Sequence, residues 1–142
     1  MFSEGETGDG RSIAEARNWF RRATEIDPEV GDGFAGIAWT YQLGILMGED
    51  GLDTDEGMQA ARRALQIDNN SPLAHFALGA VAVIQRNHSV AIDSLKKAIE
   101  LNPSYSEAHH VLSRSYSHFG IPKDGLYHGH EAIRLSPNGP AL

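Results

Sequence analysis

The chain is 142 residues long and acidic, with 12 lysines and arginines against 19 aspartates and glutamates and a formal net charge of −7 at pH 7. No basic run exceeds two residues, which argues against nucleic acid or an anionic membrane surface as the main partner. Cysteine is absent, which excludes a disulfide framework, a thiol nucleophile and any cysteine-bearing metal site.

Residues 1–11 are rich in glycine, glutamate and aspartate, carry no periodicity, and read as a lead-in. They have neither the basic nor the apolar segment of a signal peptide. No apolar run approaches the roughly 18 residues of a membrane span. The expected location is cytoplasmic, with the periplasm as the alternative if a parent protein carries a membrane span. Residues 12–29, SIAEARNWFRRATEIDP with the following acid, predict one helix, with Ser12 as N-cap and Glu15 at capping-box spacing.

Residues 30–70 predict two helices, GFAGIAWTYQLGILMG and DTDEGMQAARRALQID, the second capped by Asp53 or Thr54. Residues 71–103 predict a further pair, with Ser71 as N-cap, Pro72 at the first helical position and a break near Arg86-Asn87. Small residues stand where those helices must cross: Gly79 and Ala82 on one, Ala91 and Ala98 on the other. Residues 104–137 predict the last pair, with Ser104 and Glu107 at capping-box spacing and Gly120 in the turn. Gly125 and Gly129 in its second helix cost about 1 kcal/mol each relative to alanine. Residues 138–142 form a tail. Ala64 to Ala98 and Ala98 to Ala132 are each 34 residues, whereas Ala23 to Ala64 is 41. The extra seven lie around Ile45–Asp53. Insertions between stacked helices map to one face of a repeat array, often the binding face.

The residues in register carry a recognisable pattern, W-x2-L-G-x2-Y on the first helix, A-x3-F on the second, then Pro. In residues 71–103 His75 fills the Trp slot, Leu78-Gly79 the Leu-Gly pair and Ala82 the Tyr slot, with Ala91, Leu95 and Pro103 in the later ones. Phe34, Ile37-Ala38, Tyr41, Gly57, Ala61 and Ala64 repeat it before, and His109, Leu112-Ser113, Tyr116, Gly125, Gly129, Ala132 and Pro137 after. Ala16, Phe20, Ala23 and Pro28 supply the second half of an earlier unit, so the chain begins halfway through one. The pattern resembles the tetratricopeptide repeat (TPR). The resemblance implies an all-α, right-handed solenoid of antiparallel helix pairs, about seven helices in three and a half repeats. More distantly, the order ARNWFRRATEIDP, GFAGIAWTYQLG, long turn, ARRALQID is similar to TPR segments beside cyclase or winged-helix domains of bacterial signalling proteins. A catalytic or DNA-binding part would then lie outside these residues.

The seven histidines do not form a metal pattern. His128 and His130 fall about 200° apart on a helix and His109 and His110 also diverge. There is no H-E-x-x-H, no G-x-S-x-G and no phosphate loop. The expectation is a non-enzyme with no cofactor and no metal. Arg21-Arg22, Arg62-Arg63 and Lys96-Lys97 recur in one slot and predict a solvated outer column, supported by Arg21–Glu25 and Lys96–Glu100 pairs.

TPR arrays line their concave groove with the first helix of each pair. By register that implies Trp39 and Leu43 in the second unit, Leu73, Phe76, Val83 and Ile84 in the third, and His110, Arg114 and His118 in the fourth. The implied function is a protein-interaction scaffold or regulatory module holding a peptide or helix of a partner protein. The alternatives are that the inserted ILMG stretch covers the groove, or that the chain self-associates, with a homodimer formed through a repeat end.

Overall fold

A repeated turn sets the frame of the molecule. Asp27, Asp68 and Asn102 each turn the chain back by accepting, through the side-chain oxygen, the backbone N–H two residues on, in Glu29, Asn70 and Ser104. The backbone carbonyls of the same three residues accept from Val30, Ser71 and Tyr105 at 3.0–3.4 Å. Such turns suit Asp and Asn because a short side chain can mimic a backbone acceptor. Each one ends a helix and starts the next.

The computed structural model describes residues 9–118 and 131–135. Within them the helices are α1 (Asp9–Ile26), α2 (Gly31–Leu46), α3 (Thr54–Ile67), α4 (Pro72–Ile84), α5 (His88–Leu101) and α6 (Ser106–His118). Residues 131–135 are also helical. No helix among the described residues is long and apolar enough to cross a membrane. α2 pairs with α3 and α4 with α5, while α1–α2, α3–α4 and α5–α6 join successive units. The chain is an all-α solenoid of antiparallel helix pairs.

Several helix ends lie where the residues place them. Asp53 caps α3 by accepting from the Asp55 N–H, and Ser71 caps α4 by accepting from the Ala74 N–H. Asn87 caps α5 by accepting from the Val90 N–H. Two ends differ. α1 already runs from Asp9, so Ser12 lies inside it and the lead-in is shorter than expected. An N-cap residue ends a helix only where the preceding residues cannot continue it, and extension costs little once a helix is nucleated. α6 starts at Ser106, and its first bond, His109 N–H to the Tyr105 carbonyl, matches His75 N–H to the Ser71 carbonyl in α4. Tyr105 therefore occupies the position of Ser71, and Ser104 sits one residue too early to cap. The expectations placed on Gly120, Gly125, Gly129, His128, His130 and Pro137 lie outside the described residues.

The core forms two clusters that share α4. Ala35, Ala38, Tyr41, Ala61, Ala64, Ala77 and Val81 pack in the first, and Ala80, Leu95, Ala98, Ala108, Leu112 and Tyr116 in the second. α4 is apolar on every side because both clusters claim it, as a helix buried all round should be. Small residues allow the approach. A Cβ on Gly79 would meet Leu95 Cγ at 2.8 Å, and Ala98 is fully buried between α5 and α6. Ala98→Leu is expected to overpack this crossing and cost roughly 1–3 kcal/mol in a urea titration. Ala132 is buried as well, and its carbonyl accepts from Ser106 Oγ at 3.3 Å.

The Trp-slot histidines have a structural partner each. His75 Nε2 lies 2.8 Å from the Asn69 carbonyl oxygen and His109 Nε2 3.0 Å from that of Pro103. Each ring ties its helix to the turn six residues before. Half of the expected outer column of cations lies over aromatic rings. Arg22 lies over Trp19, Arg63 over Phe34 and Lys96 over Tyr116, at 5.2–5.9 Å from the ring centres. Arg21 reaches across to Glu56 at 3.6 Å, and Lys97 pairs with Glu100 at 3.5 Å.

Candidate functional site

The seven inserted residues fold back on α2 and are pinned from beneath by Arg17. This side chain, only 5% exposed, donates from Nε to Thr40 Oγ1 at 3.1 Å and from Nη2 to the Thr40 carbonyl at 3.0 Å. Its Nη1 and Nη2 also grip the Glu49 carboxylate, each at 3.0 Å. The guanidinium stacks over the Tyr41 ring, 4.6 Å from its centre. Gly44 makes room for this arrangement, since a Cβ there would meet Glu49 Oε2 at 2.5 Å and Leu52 Cδ1 at 2.7 Å. The Arg17 hydrogen bonds hold the Glu49 carboxyl below its ordinary range against the opposing effect of burial. The far end of the insertion is tied to α4, with Gln85 Nε2 donating to Thr54 Oγ1 at 3.2 Å and Asp55 Oδ1 at 2.9 Å.

With the insertion held this way, the C-terminal end of α2 forms one wall of a groove of about 330 Å³. The floor and walls are Ile45 and Leu46 from α2, Val83 and Ile84 from α4, and Val111 from α6, with Gln42, Arg86, Arg114 and Ser115 at the polar positions. α2 and α4 pack closely along their length, whereas α4 and α6 touch at few points. That splay opens the groove.

The structure brings together three of the nine residues expected there, Val83, Ile84 and Arg114. Phe76 is a correction. It is 3% exposed, lies in the second core cluster, and stacks on Tyr105 with ring centres 5.1 Å apart. The turn before α6 covers the face that a lone helix pair would leave open. Leu73 is half-buried against the first core cluster. Leu43 is half-buried and Trp39 is 37% exposed, and neither lines the groove. His110 Nε2 is turned inward, buried and without a hydrogen-bond partner among the described residues. The His118 side chain lies outside the described residues. The ILMG stretch supplies a wall through Ile45 and Leu46, leaving the groove uncovered by that stretch.

Arg86 was not expected as a site residue, although the break at Arg86-Asn87 was. Both α2 and α4 end in the same hydrogen-bonded turn. Glu49 N–H reaches the Gly44 carbonyl and Gly48 N–H that of Ile45; Asn87 N–H reaches Ala82 and Arg86 N–H reaches Val83, all at 2.8–3.1 Å. This C-terminal turn needs a left-handed residue, normally glycine. α2 supplies Gly48 at φ +82°, and α4 supplies Arg86 at φ +57°. A non-glycine residue there costs on the order of 1 kcal/mol. Arg86→Gly is therefore expected to raise stability by about 0.5–1 kcal/mol, read as a higher denaturation midpoint.

A second cleft, also about 330 Å³, lies between α1, α2 and α3 around Arg21, Phe34, Tyr41, Glu56 and Arg63. Its polar groups satisfy one another. The Tyr41 hydroxyl donates to Glu56 and accepts from Arg21 Nη2 at 3.0 Å. Burial raises the Tyr41 pKa, and the hydrogen bond and charge of Glu56 add to the effect. Among the described residues no group of three or more His, Cys, Asp or Glu is placed to hold a metal ion.

Residues 73–105 match the tetratricopeptide repeat family. The chain is 28% identical over 106 residues to the mitochondrial import receptor subunit TOM70 of Rattus norvegicus, covering 74% of this chain and 16% of that protein. It is 34% identical over 80 residues to the peroxisomal targeting signal receptor of Candida albicans, covering 56% and 14%. The chain thus spans about a sixth of the length of these curated relatives. Among solved structures, MamA superposes with a TM-score of 0.67 at 20% identity, over 96% of this chain and 77% of that one. PilF of Pseudomonas aeruginosa superposes at 0.70 with 23% identity, over 91% and 56%. With a matched repeat at residues 73–105 and further helices stacked on both sides of it, the chain has the fold of a tetratricopeptide-repeat α-solenoid.

Proposed function

We propose that the groove between α2, α4 and α6 holds a peptide or helix of a partner protein. The chain is a protein–protein interaction module; its finer role is that of a regulatory or scaffold segment within a larger bacterial signalling protein, located in the cytoplasm. The observation that carries this reading is the aliphatic lining of Ile45, Leu46, Val83, Ile84 and Val111 around an open groove. Apolar surface left in water forgoes roughly 25 cal/mol per Å² of burial, and a partner side chain recovers it. The relatives named as import and targeting receptors are consistent with a chain that recognises segments of other proteins.

Ile84→Glu separates binding from folding, because Ile84 lines the groove and is only half-buried. Short random peptides displayed and selected on the wild-type protein are expected to bind it and to lose affinity for the variant at least tenfold, with helix content unchanged. Selected peptides that bind both proteins equally would remove the groove from the function.

A second reading, self-association through α1, is favoured by Trp19 at 67% and Ile26 at 85% exposure. Both are large apolar side chains on one helix. Dimers are then expected in sedimentation at high micromolar concentration and monomers for Trp19→Glu. A wild-type monomer throughout would remove this reading.

A further inference from the structure

We infer that Arg17 is a positioning residue for the groove: it braces the stretch of α2 that carries Ile45 and Leu46, and so sets the affinity for an occupant it never touches. The inference rests on the groove reading above and adds the residue that keeps one wall of the groove in place. Arg17 is buried on α1 and does not line the groove. Its guanidinium bonds α2 before the last turn and the chain beyond it. Nε and Nη2 hold Thr40, while Nη1 and Nη2 hold the Glu49 carboxylate. Ile45 and Leu46 lie between those two anchors in sequence and line the groove. A guanidinium suits this task, because its planar fork grips a carboxylate through two bonds while Nε still reaches a third acceptor.

The brace matters because little else holds this wall. α4, which supplies Val83 and Ile84, passes into α5 through residues 85–87, whereas residues 47–53 intervene between α2 and α3. Gly48 and Gly51 take positive φ in that longer stretch, and a Cβ on either would meet nothing within 4 Å among the described residues. Two glycines without packing let the turn swing unless a side chain ties it down. Leu52 packs against the first core cluster. Among the described residues, Glu49 is the one residue of 47–53 whose side chain bonds a side chain on another helix. Without that bond the last turn of α2 is held mainly by its own backbone, and such helix ends open at low cost. Where the groove is formed in only a fraction of molecules, the apparent affinity falls by that fraction.

The peptides that bind the wild type and lose affinity for Ile84→Glu are the probe, measured on Arg17→Ala, Glu49→Ala and the double variant. Each single variant is expected to weaken them roughly tenfold, the scale of one charge-assisted contact that no longer holds the competent state. The double variant should bind about as weakly as the weaker single one, because either substitution removes the same contact. Ser71→Ala is the comparison. It removes the cap at the far end of α4, so it should lower the melting temperature and leave the affinity unchanged. Because coupling is reciprocal, peptide binding to the wild type should slow amide exchange at residues 47–53. If Arg17→Ala loses helix content, Glu49→Ala carries the test, since Glu49 is half-buried and Arg17 keeps its bonds to Thr40 in that variant. Wild-type affinity in Glu49→Ala, or losses that multiply in a folded double variant, overturns the inference and leaves the groove reading standing. An equal loss in Ser71→Ala, or exchange at residues 47–53 that ignores the peptide, does the same. The absence of any Ile84-dependent peptide overturns both.

Discussion

Phe76→Glu is expected to unfold the protein. The ring is buried between α4, α5 and α6 and stacks on Tyr105. Removing a buried aromatic costs about 3–5 kcal/mol. An ionised carboxylate left in its place with no cation adds several more, or forces protonation. Domains of this kind have about 5–15 kcal/mol in total. Circular dichroism should therefore show loss of helix at 25 °C, or a midpoint lowered so far that little native protein remains. Ile84→Glu, on the same helix, should melt close to the wild type. Native helix content in Phe76→Glu would mean that α6 and its preceding turn do not cover this face of α4.

Arg17→Ala is expected to release the inserted turn and to cost about 2–4 kcal/mol. The figure lies below that for a wholly buried pair because Glu49 keeps partial solvent contact. Three acceptors lose their donor at once: Thr40 Oγ1, the Thr40 carbonyl and the Glu49 carboxylate. The pH dependence gives a second readout. The Glu49 pKa is lower in the folded chain than the ordinary 4.5, chiefly through hydrogen bonds from Arg17. A depressed carboxyl pKa contributes stability that is fully present above the unfolded value and is lost as pH falls through the folded one. The wild type should lose this contribution on acidification below about pH 4.5. Arg17→Ala, having already lost it, should show a flatter stability profile there, and so should Glu49→Gln. Protection of the amides of residues 47–53 from exchange should fall in both variants. Identical acid profiles for all three proteins would show that the Arg17–Glu49 pair does not hold the turn.

Local rules made much of the helical frame legible. Ser71 with Pro72 starts α4, Asn87 starts α5, and Asp27, Asp68 and Asn102 end helices at spacings of 41 and 34 residues. Each effect acts within a few residues, so the residues present are sufficient to produce it. Burial of Ala98 and Gly79 followed from the same spacing, because a helix pair repeated in register must cross at its small residues. Where the frame was misjudged, at Ser12 and Ser104, the competing signal was also local: capping residues occur one turn or one residue away from the helix ends that form.

The sequence by itself thus determined an array of helix pairs, its turns and the place of the inserted residues. Only the tertiary structure decided which apolar side chains remain for a partner. α2 and α4 are apolar on nearly all sides, so their periodicity does not separate groove from core, and the turn carrying Tyr105 takes Phe76 for the core while α6 splays away from Ile84. The anchor of the insertion was equally hidden, because Arg17 and Glu49 stand 32 residues apart and a buried guanidinium looks, in sequence, like any surface arginine. Arg86 shared that ambiguity: the break after α4 was legible from Arg86-Asn87, but the left-handed backbone and the groove beside it arise from how the stacked helices meet.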